Sequence, residues 1–333
     1  MIKNLKNKQS KKKQEKTAFT LVELAVVIMI ASILITGLIS VSVNSINTGN
    51  VRITNERMKE IYKAIGNYLV KNQKLPCPAS LIRVKSTDTD YGKEERPNIS
   101  DTQICGDGSA RGSYTTTTPA TKFYYGAVPV KALGLGNDMA EDGFGSKFTY
   151  VVNQEMAGTY TTPVNTSTPA FGTAILSDGT NQITIQEKNG ASTQTIVTDA
   201  VMAIISHGQN KFGAFNSNSN AQNNTSTDAD EASNYATAFT TATATFDGTF
   251  VSYSRGSDLF DDIVFFKRRN DFVENFNAMF LMPCLSTTIP VGFTGSAYYG
   301  QIVYGAACTL PANGNKSVKC EAYGNWVIMN NCS

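Results

Sequence analysis

The side chains able to do chemistry in this 333-residue chain are few and unevenly spaced. Cysteines stand at 77, 105, 284, 308, 320 and 332, and His207 is the only histidine. Six cysteines with no Cys-x-x-Cys pair read as three disulfides, and one histidine leaves too few ligands for a zinc site. Cys77 and Cys105 lie far from the other four, so Cys77–Cys105 is the simplest pairing. His207 follows an apolar run, 200–206, and no plausible acid-base or nucleophile pair accompanies it in sequence; it reads as a strand-end hydrogen-bonder rather than a catalyst. Asp258, Asp261 and Asp262 cluster just before another apolar run, where a solvated acidic turn is the plain reading. Glu23 is the one charged side chain in 19–43, a stretch without proline. A carboxylate inside such a stretch is costly and is by default functional.

The element that must position Glu23 is a hydrophobic helix. At about 1.5 Å per residue, 19–43 covers a hydrocarbon core of about 30 Å, and its apolar run far exceeds the roughly 7–15 residues of a cleaved signal peptide. Ahead of it stand Lys3, Lys6, Lys8, Lys11, Lys12, Lys13 and Lys16 against a single acid, Glu15. That bias holds the N-terminus in the cytoplasm and sends the rest of the chain, with all six cysteines, across the membrane. The formal net charge is +2, but without residues 1–18 there remain 22 basic and 26 acidic side chains, a net of −4. The basic arm is therefore a topology signal, and no nucleic-acid partner is expected.

Helical spacing continues past the span. Ile53, Met58, Ile61, Tyr62, Ile65 and Leu69 fall on one face of 51–75, Arg52, Glu56, Lys59, Glu60 and Lys63 on others, and Leu75-Pro76-Cys77-Pro78 ends the helix. Gly49 and the 44–50 stretch loosen the join between the two halves. Residues 79–122 read as loop tied to the helix end by the Cys77–Cys105 bond. Strands follow at 147–153 and 173–176, then a hairpin of 183–186 and 195–197 around Asn189-Gly190, and a buried strand at 200–206. Residues 214–250, rich in Asn, Ser, Thr and Ala, read as a long surface loop. The run 258–266 closes the sheet, and 270–282 reads as a short amphipathic helix capped at Asn270 or Asp271 and stopped by Pro283.

Ala18 followed by Phe19-Thr20-Leu21-Val22-Glu23-Leu24, with a lysine-rich leader before and an apolar run after, resembles the signal of type IV prepilins and type II secretion pseudopilins. The resemblance implies that a prepilin peptidase cuts between Ala18 and Phe19 and N-methylates Phe19. It also implies that Glu23 of one subunit neutralises the freed Phe19 amine of its neighbour during assembly, since a buried cation and a buried carboxylate are tolerable only together. Ala18 departs from the family's usual Gly and is similarly small. Val128-Pro129 with Asp142-Gly143-Phe144-Gly145 is similar to a pseudopilin turn that leads into the first strand, with Phe144 where Trp is usual; there Phe144 is expected to plug the sheet edge. The acids at Asp258, Asp261 and Asp262 are similar in placement to the calcium-binding loop of major pseudopilins, which implies a calcium ion there.

The tail resembles a sushi module, with Cys284, Gly305-Ala306-Ala307-Cys308, Cys320, Trp326 and Cys332 in order. That resemblance implies Cys284–Cys320 and Cys308–Cys332 around the packed Trp326; from spacing alone four cysteines allow three connectivities.

The expected fold is α+β and pilin-like: a long helical spine packed on an antiparallel sheet, with a disulfide-rich β module at the end. The divisions are a leader at 1–18, a transmembrane helix at 19–43, an amphipathic continuation at 44–75, a globular β domain at 76–282 and a cysteine-rich module at 283–333. The expected function is a non-enzymatic minor pilin or pseudopilin subunit of a bacterial fibre, anchored in the inner membrane with a periplasmic C-terminus. Its expected partners are the prepilin peptidase, other pilins and the inner-membrane assembly platform. An adhesin-like tip pilin that binds through the tail or the 214–250 loop is the alternative, and a membrane-anchored periplasmic enzyme a third.

Overall fold

The computed structural model describes residues 20–95, 105, 123–153, 156–157, 183–189, 192–235, 248–253, 260–278, 290, 293, 302–307, 315–321 and 325–330; in 34–45, 302–307, 315–316 and at 253, 321, 325 and 330 it describes the backbone alone. The architecture is α+β. The chain divides into two compact units, residues 1–48 and 49–333. Helix α1, Leu21–Asn72, carries the chain from the first into the second, and the 44–50 stretch expected to loosen the join is helical throughout.

In the first unit α1 starts at a capping box. The Thr20 amide and hydroxyl both donate to Glu23 Oε2 at 2.9 Å, and the Glu23 amide donates to Thr20 Oγ1 at 3.3 Å. Two amides that the helix start would leave without partners are thereby satisfied. Leu21, Val22, Leu24, Val27 and Met29 are exposed. Among the described residues no helix is long and apolar enough to cross a membrane; of the expected span 19–43, side chains are described over 20–33.

In the second unit α1 buries Met58, Ile61, Tyr62, Ile65 and Leu69 along one stripe. Thr54, not Ile53, continues that stripe: Thr54 is fully buried and Ile53 is 37% exposed. The helix ends at Asn72, three residues before the expected stop, as Gln73 turns left-handed at φ 54°. The strands are β1 (Phe123–Ala127), β2 (Thr149–Asn153), β3 (Ile183–Asn189), β4 (Ser192–Ser206), β5 (Thr249–Tyr253) and β6 (Ile263–Arg268). They form one sheet in the order β1-β2-β4-β3-β5, with β6 paired to 200–206 of β4 on the edge opposite β2, beyond the stretch that β3 occupies. The sheet is mixed, not antiparallel as expected, because β5 runs parallel to β3. The two strands expected at 195–197 and 200–206 are one, β4, buried throughout 200–206 and at Val197 in the outer half.

Both sheet faces are covered. Tyr124, Tyr150, Val152, Met202 and Ile204 pack with the α1 stripe, while Phe123, Tyr125, Val151, Ile205 and Phe250 form a second core. Neighbouring residues of β1, β2 and β4 fall into opposite cores, which is why these strands read as near-continuous apolar runs. The expected helix at 270–282 is α3, Arg269–Phe276, with Asp271 capping the Arg268 amide at 2.6 Å and Asn277 ending it at φ 53°. Its Phe272 and Phe276 stack edge-on against Tyr62 at 5.3 and 5.2 Å, and Phe276 fills the space over Gly66 where a Cβ would stand 2.2 Å from its ring. Burial there pushes the Tyr62 phenol up to about 12.

Cys77 and Cys105 are joined in a disulfide, both buried. In the tail, β7 (Ile302–Ala307), β8 (Asn315–Glu321) and β9 (Asn325–Asn330) form an antiparallel sheet of their own. Cys320 is disulfide-bonded and sits opposite Trp326 in the β8–β9 register. Cys284, Cys308 and Cys332 lie outside the described residues.

Candidate metal centre

The polar interior of the second unit gathers at the C-terminal end of β4. Ser206 closes the strand, and its hydroxyl donates to Asp142 Oδ2 at 2.6 Å. The other Asp142 oxygen accepts the Phe144 and Ser146 amides, each at 2.9 Å, which shapes the 141–147 turn. That turn grips α1: the Gly143 amide donates to Thr54 Oγ1 at 2.9 Å, and Arg57 donates to the Glu141 and Asp142 carbonyls. Glycine is required at 143, where a Cβ would come within 2.1 Å of the Asn50 carbonyl oxygen. Phe144, expected to plug the sheet edge, is half-buried and outside both cores. Burial raises the Asp142 carboxyl, with its hydrogen bonds and His207 opposing.

His207, one residue on, is fully buried. Its Nε2 lies 2.9 Å from Thr149 Oγ1 and its Nδ1 3.7 Å from Asp262 Oδ2. Thr149, His207 and Asp262 stand in the order nucleophile, base, acid, a juxtaposition invisible in sequence, yet they are only 2%, 0% and 3% exposed. A nucleophile sealed from solvent meets no substrate in this conformation.

Beyond His207 three carboxylates converge. Asp261 Oδ2 accepts the Gln209 and Asn210 amides at 2.6 and 3.0 Å, in a turn where Gly208 adopts φ +58° with Asp261 packed against it. Asp262 Oδ2 accepts Asn234 Nδ2 at 2.9 Å, and Asn234 also bonds both ways to the Val251 backbone. Glu231, fully buried, accepts Asn210 Nδ2 at 2.6 Å. It is delivered by α2, Ala229–Ala232, a single turn capped by Asp228, whose carboxylate accepts the Asp230 and Glu231 amides. One oxygen from each of Glu231, Asp261 and Asp262 lies within 4.8 Å of the others. Burial pushes the Asp261 carboxyl up to about 6, with Asp262 adding to the rise, and raises Glu231 as well. Glu231 Oε2, Asp261 Oδ1 and Asp262 Oδ1 are buried without hydrogen-bond partners, as is Nδ1 of the neighbouring His207, which stands outside the three-carboxylate group. Buried polar atoms are nearly always satisfied, so a cluster of orphans fits the charge of a bound cation.

Of the three acids expected to hold calcium, Asp261 and Asp262 are in this centre and Asp258 lies outside the described residues. Glu231, Asn210 and Asn234 were not singled out in the sequence, though Asp228-Ala229-Asp230-Glu231 has capping-box spacing and marks a helical turn. Residues 214–235, expected to be surface loop, bury Phe215, Glu231, Asn234 and Tyr235. Ala18 and Phe19 lie outside the described residues, and Glu23 is exposed at the start of α1. A groove of about 810 Å³ between α1 and the 131–135 turn is lined by Lys63, Lys71 and Lys131, by Glu60 and Glu94, and by Leu133 and Leu135. No family model matches this chain, and neither a curated protein nor a solved structure matches it.

Proposed function

We propose that this chain is a structural, non-enzymatic subunit of a type IV pilin-like fibre, either a pilus or a type II secretion pseudopilus, with the pilin-like fold that the sequence resemblance implies. The observation that carries this reading is the N-terminal arrangement: a seven-lysine leader, an apolar stretch from 19 to 43, and Glu23 as its one charge. The exposed apolar side chains of 21–33 support it, because such a surface calls for lipid or neighbouring helices. The subunit is anchored in a bacterial inner membrane with its C-terminus in the periplasm. It is processed by a prepilin peptidase between Ala18 and Phe19, then extracted by an assembly platform to pack on other pilins through α1. Mass spectrometry of membrane-extracted protein tests this: a methylated Phe19 terminus that depends on the peptidase is expected. An intact Met1 terminus in a peptidase-positive host sinks the reading.

The head of this subunit holds a divalent cation on Glu231, Asp261 and Asp262. Three orphaned carboxylate oxygens carry this step. Oxygen ligands of this kind suit calcium, and the ion would fasten β4, the 209–235 segment and the approach to β6 to one another.

An adhesin-like role for the tail rests on β9, where Val327, Ile328 and Met329 are 40%, 50% and 55% exposed in a row. Consecutive strand residues point to opposite faces, so one flat core cannot cover all three. Substituting Ile328→Lys and measuring adherence of intact cells, with fibre yield as control, tests that role; unchanged adherence removes it.

A further inference from the structure

We propose that the Glu231–Asp261–Asp262 centre takes a first-row transition ion, Mn²⁺ or Zn²⁺, with His207 Nδ1 as its nitrogen ligand. This rests on the cation reading above and names the class of ion. Carboxylates alone suit calcium, magnesium or manganese, whereas an imidazole in the set favours zinc and its neighbours.

His207 is the element that the cation reading leaves unexplained. Its ring is fully buried, Nε2 lies 2.9 Å from Thr149 Oγ1, and Nδ1 has no hydrogen-bond partner. Were Nδ1 protonated, the nearest carboxylate oxygen, Asp262 Oδ2 at 3.7 Å, would lie beyond hydrogen-bond reach. Were it bare, its lone pair would face a carboxylate. Both tautomers leave a buried mismatch, and an ion between Nδ1 and the acids removes it. The arrangement behind the ring fits a ligand: a metal-binding imidazole uses its other nitrogen to hold a fixed partner, and Thr149 Oγ1 is placed to accept that N–H. Asp261 and Glu231 are held in the same way by Asn210, the first through its backbone and the second through its side chain.

Charge points the same way. Among the ion pairs of the described residues, the one that reaches this centre is His207 with Asp262; no lysine or arginine joins the three acids. A neutral imidazole with three carboxylates and a divalent ion leaves one net negative charge, far closer to neutral than three bare carboxylates. Zinc and manganese bind oxygen and nitrogen at about 2.0–2.2 Å, so their ligand atoms stand at most about 4.4 Å apart. The three carboxylate oxygens already lie within 4.8 Å of one another, and His207 Nδ1, 3.7 Å from Asp262 Oδ2, stands outside that group, so the ring must move inward to complete the set.

His207 is the only histidine in the chain, which makes a spectroscopic test specific to one residue. Full-length untagged protein in detergent micelles is stripped with a chelator and titrated separately with Mn²⁺, Zn²⁺ and Ca²⁺. One Mn²⁺ per chain is expected, with an imidazole nitrogen coupling in pulsed paramagnetic resonance, and Zn²⁺ is expected to bind at least about tenfold more tightly than Ca²⁺. His207→Gln should lower Zn²⁺ affinity by about 10–100-fold, on the scale that metal-site partners command, while Ca²⁺ affinity changes far less. Calcium bound as tightly as zinc, with no nitrogen coupling, overturns the imidazole assignment and leaves the cation reading standing. No binding of any of the three ions overturns both. Should His207→Gln fail to fold, the nitrogen coupling in the unsubstituted protein decides by itself.

Discussion

Two sets of carboxylates in this molecule are left incomplete in different ways. Glu23 stands exposed at the first turn of α1, with its charge answered locally by the Thr20 amide and hydroxyl. Glu231, Asp261 and Asp262 lie in the second unit, each with one oxygen satisfied and another without a partner. The first set is complete while it stays where it is and becomes costly only if the helix is buried elsewhere. The second is costly already, because its desolvation is present in the folded chain. The lesson concerns where a partner must come from. A carboxylate satisfied at the surface waits for a second chain, whereas one desolvated in a closed interior needs an ion or a proton from solution.

Glu23→Ala gives the largest expected effect and tests the first half of that contrast. Removal of the charge favours lipid, so membrane insertion should persist, while recovery in sheared fibres should fall by an order of magnitude or more because the neighbouring Phe19 amine loses its counter-charge. Normal recovery of the variant would contradict the pairing. Glu231→Gln tests the second half. It keeps the shape and the bond to Asn210 but removes one ligand charge, so the rise in melting temperature produced by saturating divalent ion should shrink by several degrees. A rise equal to that of the unsubstituted protein would place the ion elsewhere.

The pH dependence separates proton from ion as the partner of the interior set. The folded carboxyl of Asp261 is raised from 3.8 to about 6, so its contribution favours the folded state below about pH 4 and is lost as pH climbs through 6. Chelated protein should therefore lose stability between about pH 4 and 6 relative to Asp261→Asn, and saturating ion should remove that loss. Denaturant midpoints across this range decide it; a chelated protein that gains stability relative to Asp261→Asn over the same interval would reverse the sign.

The contrast also marks what the amino-acid sequence can disclose. Glu23 is legible because its neighbours in sequence are its surroundings: one charge among apolar residues announces itself. The α1 stripe was legible for the same reason, since Met58, Ile61, Ile65 and Leu69 are one helical face. At Ile53 the pattern misled, because the buried neighbour needed there is the Thr54 hydroxyl that binds Gly143, a contact 89 residues away. The acidic centre was half legible. Asp261 and Asp262 stand out beside β6, but Glu231 and His207 reach them from segments 30 and 54 residues earlier, and no local spacing encodes that meeting. The parallel pairing of β3 with β5 was hidden likewise, since both strands are short and the segment between them carries its own buried residues. Cys77 and Cys105 could be paired in advance because the alternatives were remote; opening that bond should cost about 2–4 kcal/mol.

The smallest effect belongs to Thr20, and it sharpens the claim that Glu23 is locally complete. If the capping box supplies that completeness, Thr20→Ala removes the hydroxyl that both donates to Glu23 Oε2 and accepts the Glu23 amide, and leaves the backbone contact alone. Loss of an N-cap side chain costs about 1 kcal/mol, which corresponds to roughly fivefold faster opening of the first turn. Hydrogen exchange in micelles should show that acceleration at the first few amides of α1, with exchange from 58 to 69 unchanged because those residues are held by tertiary packing. Thr20→Ser keeps the oxygen in place and should restore most of the protection. If Thr20→Ala and Thr20→Ser exchange alike, the hydroxyl is not what answers the Glu23 charge. The Thr20 amide alone would then answer Glu23 within its own turn, and the local completeness of the first set would rest on a single backbone contact.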